Sequence, residues 1–219
     1  MVVRENFQEQ LDEIKTKLLE LGSLAQVAVD DAITALKNQD VDKALEIIDN
    51  DYKINRLEEE INETAIWLIA KEQPLATDLR RLISALKITT DVERVGDLAV
   101  NIAKSIIRIG DKPFVKPIEE IPALAQKANN MLKEVLASFY DEDVNKAMAV
   151  ADADDEIDNM YGRLVKELLE LMTEHPESVS QIQQLSFICR YVERIGDHCT
   201  NISESVIYVV KGKRYDLNA

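Results

Sequence analysis

The strongest constraint on this chain is that it is written twice. "DVERVGDLAVNI", ending at Ile102, returns as "YVERIGDHCTNI", ending at Ile202. At an offset of 100, residues 86–107 and 186–207 agree at ten of 22 positions: Ile88, Val92, Glu93, Arg94, Gly96, Asp97, Asn101, Ile102, Ser105 and Ile107. At an offset of 103, Asp40, Val41, Lys43, Ala44, Asp49, Asp51 and Ile54 recur as Asp143, Val144, Lys146, Ala147, Asp152, Asp154 and Ile157. A fixed-period repeat means one supersecondary unit used twice, and a change of register by three residues means one shorter connection in the second copy. The 219 residues suffice for two such units of about a hundred residues each.

Each unit reads as helical. Apolar residues recur three and four apart through Phe7, Leu11, Ile14, Leu18, Leu21 and Leu24, and again through Ile47, Ile54, Leu57, Ile61 and Leu68. Aromatic residues are only 5% of the chain, with six glycines and five prolines, so long helices are rarely interrupted. Breaks are predicted at 38–40, where Asp40 can cap a helix, at Gln73–Pro74 with proline in a first turn, and across "IGDKPFVKPIEEIP", 109–122. The second copy breaks likewise near 140–143 and at His175–Pro176. The expectation is an all-α fold of six helices, two tandem, duplicated antiparallel three-helix bundles occupying 1–112 and 113–219. Helices of about 30 to 35 residues would be about 45–50 Å long.

Helical arithmetic assigns faces to the repeated phrase. Val92, Val95, Ala99, Ile102 and Ile106 make a core seam, and Glu93, Asp97 and Asn101 lie opposite it. In the second copy Val192, Ile195, Cys199, Ile202 and Val206 make the seam, with Glu193, Asp197 and Asn201 on the far side. The second helix of each unit adds Asp51 and Asn55, or Asp154 and Asp158, at equivalent angles. Antiparallel packing of the second and third helices would set these ladders side by side, within reach of a shared cation. A lone E-x-x-x-D is ordinarily a solvated helix face. Against that reading, like charges four apart cost a few tenths of a kcal/mol per pair, which a bound cation reverses. Gly96 and Gly196 stand mid-helix beside the stripe, where glycine costs about 1 kcal/mol. They leave room either for a ligand or for a neighbouring helix.

Other chemistries are excluded or weak. A formal charge of −15, from 41 acidic against 26 basic residues, argues against nucleic acid and for cations or basic protein surfaces. Cys189 and Cys199 are the only cysteines, too few for a disulfide framework or a four-thiolate zinc site, and Cys199 reads as core. All-oxygen ligands suit hard cations, and iron or manganese as well. "DADDEIDNMYGR" from Asp152 fails as a calcium loop, with Ile157 in place of the turn glycine and Arg163 in place of the closing glutamate. No E-x-x-H, phosphate-binding glycine loop or G-x-S-x-G elbow occurs. His198 points away from Asp197, and His175 belongs to a turn. No apolar run is long enough for a signal peptide or a membrane span, so a cytoplasmic protein without direct membrane insertion is expected.

The doubled E-R-x-G-D, the segment "AIWLIAKEQPLATDLR", the opening "LGSLAQVAVDDAITAL" and the closing "YVVKGK" resemble the PhoU family of phosphate-transport regulators, from about Phe7 to Lys213. The resemblance implies two three-helix bundles, each with an E(D)-x-x-x-D motif pair that in some members binds surface metal clusters. Carried over, the ligand positions are Asp51, Glu93 and Asp97 in the first copy and Asp154, Asp158, Glu193 and Asp197 in the second. Asn101, Asn201, Arg94 and Arg194 are candidates for supporting positions. Asn55 stands where a carboxylate would complete the first set, so that site is expected to bind more weakly or hold a smaller cluster. Iron, zinc, manganese, nickel and magnesium are the candidate ions. The family's role implies a non-enzymatic negative regulator of the phosphate-starvation response. It would act between the ATP-hydrolysing subunit of a phosphate ABC transporter and a sensor histidine kinase, as a homodimer in the cytoplasm at the inner face of the membrane. The alternatives are a metal-dependent hydrolase working through the carboxylates, and a helical scaffold whose carboxylates are only solvated.

Overall fold

The computed structural model describes residues 2–217, the side chains of residues 2–6 excepted. The described residues form α1 (Val2–Asn38), α2 (Val41–Asn50), α3 (Tyr52–Glu72), α4 (Ala76–Ile109), α5 (Glu120–Asp141), α6 (Val144–Glu174) and α7 (Val179–Lys211), with a 3₁₀ turn at Pro176–Ser178. These are the six expected rods, because α2 and α3 are one rod interrupted only at Asp51. That residue keeps helical angles (φ −57°, ψ −29°), and its carbonyl accepts from both Ile54 N and Asn55 N. The corresponding rod of the second copy, α6, is continuous.

The turn from the first to the second rod is the same device in both copies. Gln39 and Glu142 adopt left-handed angles (φ 51° and 55°). Asp40 N bonds to Ala35 O and Asp143 N to Ser138 O, both at 2.9 Å, the six-to-one bond of a Schellman close. The same aspartates then cap the next helix, Asp40 accepting from Lys43 N and Asp143 from Asn145 N and Lys146 N. Pro74 lies just before α4, not in its first turn: left-handed Gln73 closes α3 by donating to Ile69 O, and Leu75 is extended. Pro122, by contrast, falls in the first turn of α5, where a missing N–H costs nothing.

The copies join as a fused pseudo-dimer. Gln26 on α1 and Asn129 on α5 are equivalent residues, 103 apart, and they exchange side-chain-to-carbonyl bonds of 2.9 and 3.1 Å. Reciprocity of this kind marks an isologous, two-fold contact. α4 and α7 run antiparallel through the centre, tied by Ser84 Oγ to Ser205 O and by His198 to Asp91. One hydrophobic core, drawn from both copies, is continuous across this junction. At one pole, Arg81 makes two bonds to Glu142 (2.7 and 3.0 Å), with Lys15 adding a third at 3.1 Å. At the other pole the equivalent residues are Gln181 and Gln39. Their amides donate to the carbonyls of Lys112 and Pro113, and of Gly110 and Lys112, fixing the inter-repeat connector.

Candidate functional site

The second set of carboxylates sits where α6 and α7 approach closely. Gly196 is the reason: a Cβ there would collide with Asp154 Oδ1. Gly96 plays the same part against Ile54 and Asp51, where a Cβ would lie 2.8 Å from Ile54 Cδ1. Of the two readings of these glycines, the helix contact is the one observed.

Asp154 Oδ2 accepts from Thr200 Oγ1 at 3.0 Å, while its Oδ1 is buried and without a partner. Glu193 Oε1 accepts from Arg190, while Oε2 is likewise buried and unpartnered. Burial pushes the Glu193 carboxyl up to about 7, helped by the charges of Asp197, Asp158 and Asp154 and only partly opposed by Arg190. Burial also raises Asp154 to about 6 against the opposing hydroxyl of Thr200, with Asp158 and Asp197 adding to the rise. Asp158 is raised by its burial and by Asp197. The four predicted residues Asp154, Asp158, Glu193 and Asp197 are thus one electrostatic cluster.

The first set is more self-satisfied. Asn55 Nδ2 donates to Asp51 Oδ2 at 3.0 Å. Arg94 lies across Glu93 and Asp97, at 3.4 and 2.7 Å. Burial, then repulsion from Asp97, still raises the Glu93 carboxyl, and burial raises Asp51. Among the described residues, no group of three or more His, Cys, Asp or Glu side chains is gathered tightly enough to hold a metal ion as the side chains stand.

Contrary to the outward face expected of it, Glu193 is buried, only 7% exposed. The helical wheel assumes one buried face, but α7 packs against α4, α5 and α6, which covers most of its circumference. Cys199 is fully buried as expected, and burial lifts its thiol well above the usual range. His198 and Asn201 turn toward Asp91 on α4, at 2.9 and 3.3 Å, so both tie the two copies together. Arg194 is exposed, and Asn101 is half-buried. The segment from Asp152 is helix, not a calcium loop. Arg190 and Thr200 were missed as partners of the site. The wheel would have found them, since both extend the Glu193/Asp197 stripe by one turn. Their counterparts, Thr90 and Val100, differ in chemistry, so the repeat comparison passed over them.

The PhoU domain family model matches residues 18–106 and 121–206, once per repeat. The chain belongs to the PhoU family. It is 40% identical over 218 residues to a phosphate-specific transport system accessory protein PhoU homolog of Clostridium acetobutylicum, covering 99% of this chain and all of that one. To the phosphate-specific transport system accessory protein PhoU of Escherichia coli K12 it is 32% identical, over 95% of this chain and 87% of that protein. Among solved structures, PhoU from Pseudomonas aeruginosa superposes with a TM-score of 0.88 at 34% identity, over 94% of this chain and all of that one. The phosphate transport system regulatory protein PhoU from Streptococcus pneumoniae does so at 0.90 and 31% identity, over 96% and 99%. The PhoU likeness therefore spans both repeats and the junction between them.

Proposed function

We propose that this PhoU-family chain is a regulator of phosphate uptake that works by binding, not by catalysis. In this reading it represses the phosphate-starvation response when phosphate is plentiful. It acts in the cytoplasm as an adaptor between the ATP-hydrolysing subunit of a phosphate ABC transporter and a sensor histidine kinase, and as a homodimer. The observation that carries the reading is the match, along 99% of this chain, to an accessory protein of phosphate-specific transport. Among the described residues no helix is long and apolar enough to cross a membrane, which suits a protein that reaches the transporter through a partner.

The same reading gives the second carboxylate set a bound cation. Two buried oxygens without partners, Asp154 Oδ1 and Glu193 Oε2, and carboxyls raised by burial and then by mutual repulsion are the chemistry a hard cation relieves. Asp154, Asp158, Glu193 and Asp197 would hold the ion, iron, manganese, zinc, nickel or magnesium, after side-chain rotation. Its charge would neutralise the cluster and draw α6 and α7 together. The first set, already bonded through Asn55 and Arg94, fits an ion less well.

Deleting the gene and measuring phosphate-starvation transcripts in phosphate-rich medium tests the role. Derepression is expected, and unchanged repression would refute it.

A further inference from the structure

Between α1 and α2 a groove opens on the first bundle, about 240 Å³ in volume, with Leu24, Ala28, Ile47, Ile54 and Val100 on its floor. Val27 stands at its lip with 55% of its surface exposed. Asp31 and Lys43 pair at 2.9 Å on the rim, and Asp51 also lines the groove, which therefore abuts the first carboxylate set. The second bundle has a cavity in the same place, and every residue lining it stands 103 positions after one lining the first. The depression is thus built into the repeat unit.

The two copies differ in what they offer. In the second, Leu24 and Val27 are replaced by Lys127 and Asn130, and Lys127 Nζ bonds Glu156 Oε1 at 2.8 Å, both residues lining that cavity. In the first the floor stays apolar. The helical segments around it, residues 20–31 and 40–53, carry eight acidic residues (Glu20, Asp30, Asp31, Asp40, Asp42, Glu46, Asp49, Asp51) against two lysines, Lys43 and Lys53, and Asp31, Glu46, Asp51 and both lysines line the groove itself. The matching segments of the second, 123–134 and 143–156, carry six acidic residues (Glu134, Asp143, Asp152, Asp154, Asp155, Glu156) against three lysines (Lys127, Lys133, Lys146). An apolar slot set among acidic helical segments is complementary to a basic amphipathic helix with a bulky apolar anchor.

We propose that the α1–α2 groove docks a basic amphipathic helix of a protein partner, its anchor side chain seated over Ala28 and Ile47. The site goes beyond the adaptor reading, since it names the face that meets a partner, and it needs no cation. The test uses a labelled synthetic lysine/leucine amphipathic peptide with one tryptophan anchor, titrated into the full chain by fluorescence anisotropy, with hydrogen exchange to locate it. Saturable binding is expected, with protection centred on residues 24–28 and 47–54. Ala28→Trp, which fills the slot without changing charge, is expected to weaken Kd about tenfold or more, and Val27→Ser, milder for folding, about threefold. Met131→Trp in the second cavity should leave Kd within about twofold, and a scrambled peptide of equal charge should bind about tenfold more weakly. Absence of saturable binding, equal affinity for the scrambled peptide, a footprint elsewhere, or Ala28→Trp and Val27→Ser both binding like wild type would overturn the proposal.

Discussion

Replacing Glu193 by glutamine isolates the electrostatic cost of the second carboxylate set. Its carboxyl is raised from 4.5 to about 7 in the folded chain, chiefly by burial. Because the folded state holds the proton more tightly than the unfolded state, Glu193 costs nothing below pH 4.5. Its penalty grows as pH rises from there and is complete above about 7. Linkage puts that penalty at about 1 kcal/mol at pH 5.5 and about 3 kcal/mol at pH 8. Glutamine has nearly the same shape, keeps an acceptor for Arg190, and cannot ionise. In chelator-treated protein Glu193→Gln should therefore raise the melting temperature by roughly 5–10 °C at pH 8, and by much less at pH 5.5. Calorimetry at the two pH values reads this directly. A variant that is less stable at pH 8, or equally shifted at both, would refute the burial argument. Adding manganese should raise the melting point of wild type and leave that of the variant nearly unmoved.

The glycines give a graded set. Gly196→Ala drives a methyl group into the Asp154 carboxylate and should cost about 1–3 kcal/mol in thermal or urea unfolding. Gly162, with nothing near an added Cβ, should instead gain about 0.5–1 kcal/mol on substitution by alanine. Asp40→Ala and Asp143→Ala remove equivalent caps and should each cost about 1 kcal/mol; a large difference between them would mean the turns are not the same device.

The fold could be read from the repeat and its periodicity because both are local or nearly so. Asp40, Asp143 and the seam residues Val92, Ile102, Val192 and Ile202 announce their roles through spacing alone. The pairing of Gln26 with Asn129 could not be foreseen, since it depends on how two amphipathic units meet, and many polar residues of α1 and α5 were equally eligible. The burial of Glu193 was hidden for the same reason: α7 packs against α4, α5 and α6, so the wheel's single buried face does not describe it. The asymmetry of the two carboxylate sets was visible in Asn55. That Arg94 and Asn55 already engage the first set, while two oxygens of the second are left over, is a matter of side-chain geometry no spacing rule supplies.

In the function proposed, the second carboxylate set binds a cation more tightly than the first. Elemental analysis of protein purified without added metal, comparing wild type with Asp51→Asn/Asp97→Asn and with Glu193→Gln/Asp197→Asn, tests it. The first double variant is expected to keep most of the wild-type metal and the second to lose it. Equal metal in all three proteins, or loss from the first variant alone, would contradict it.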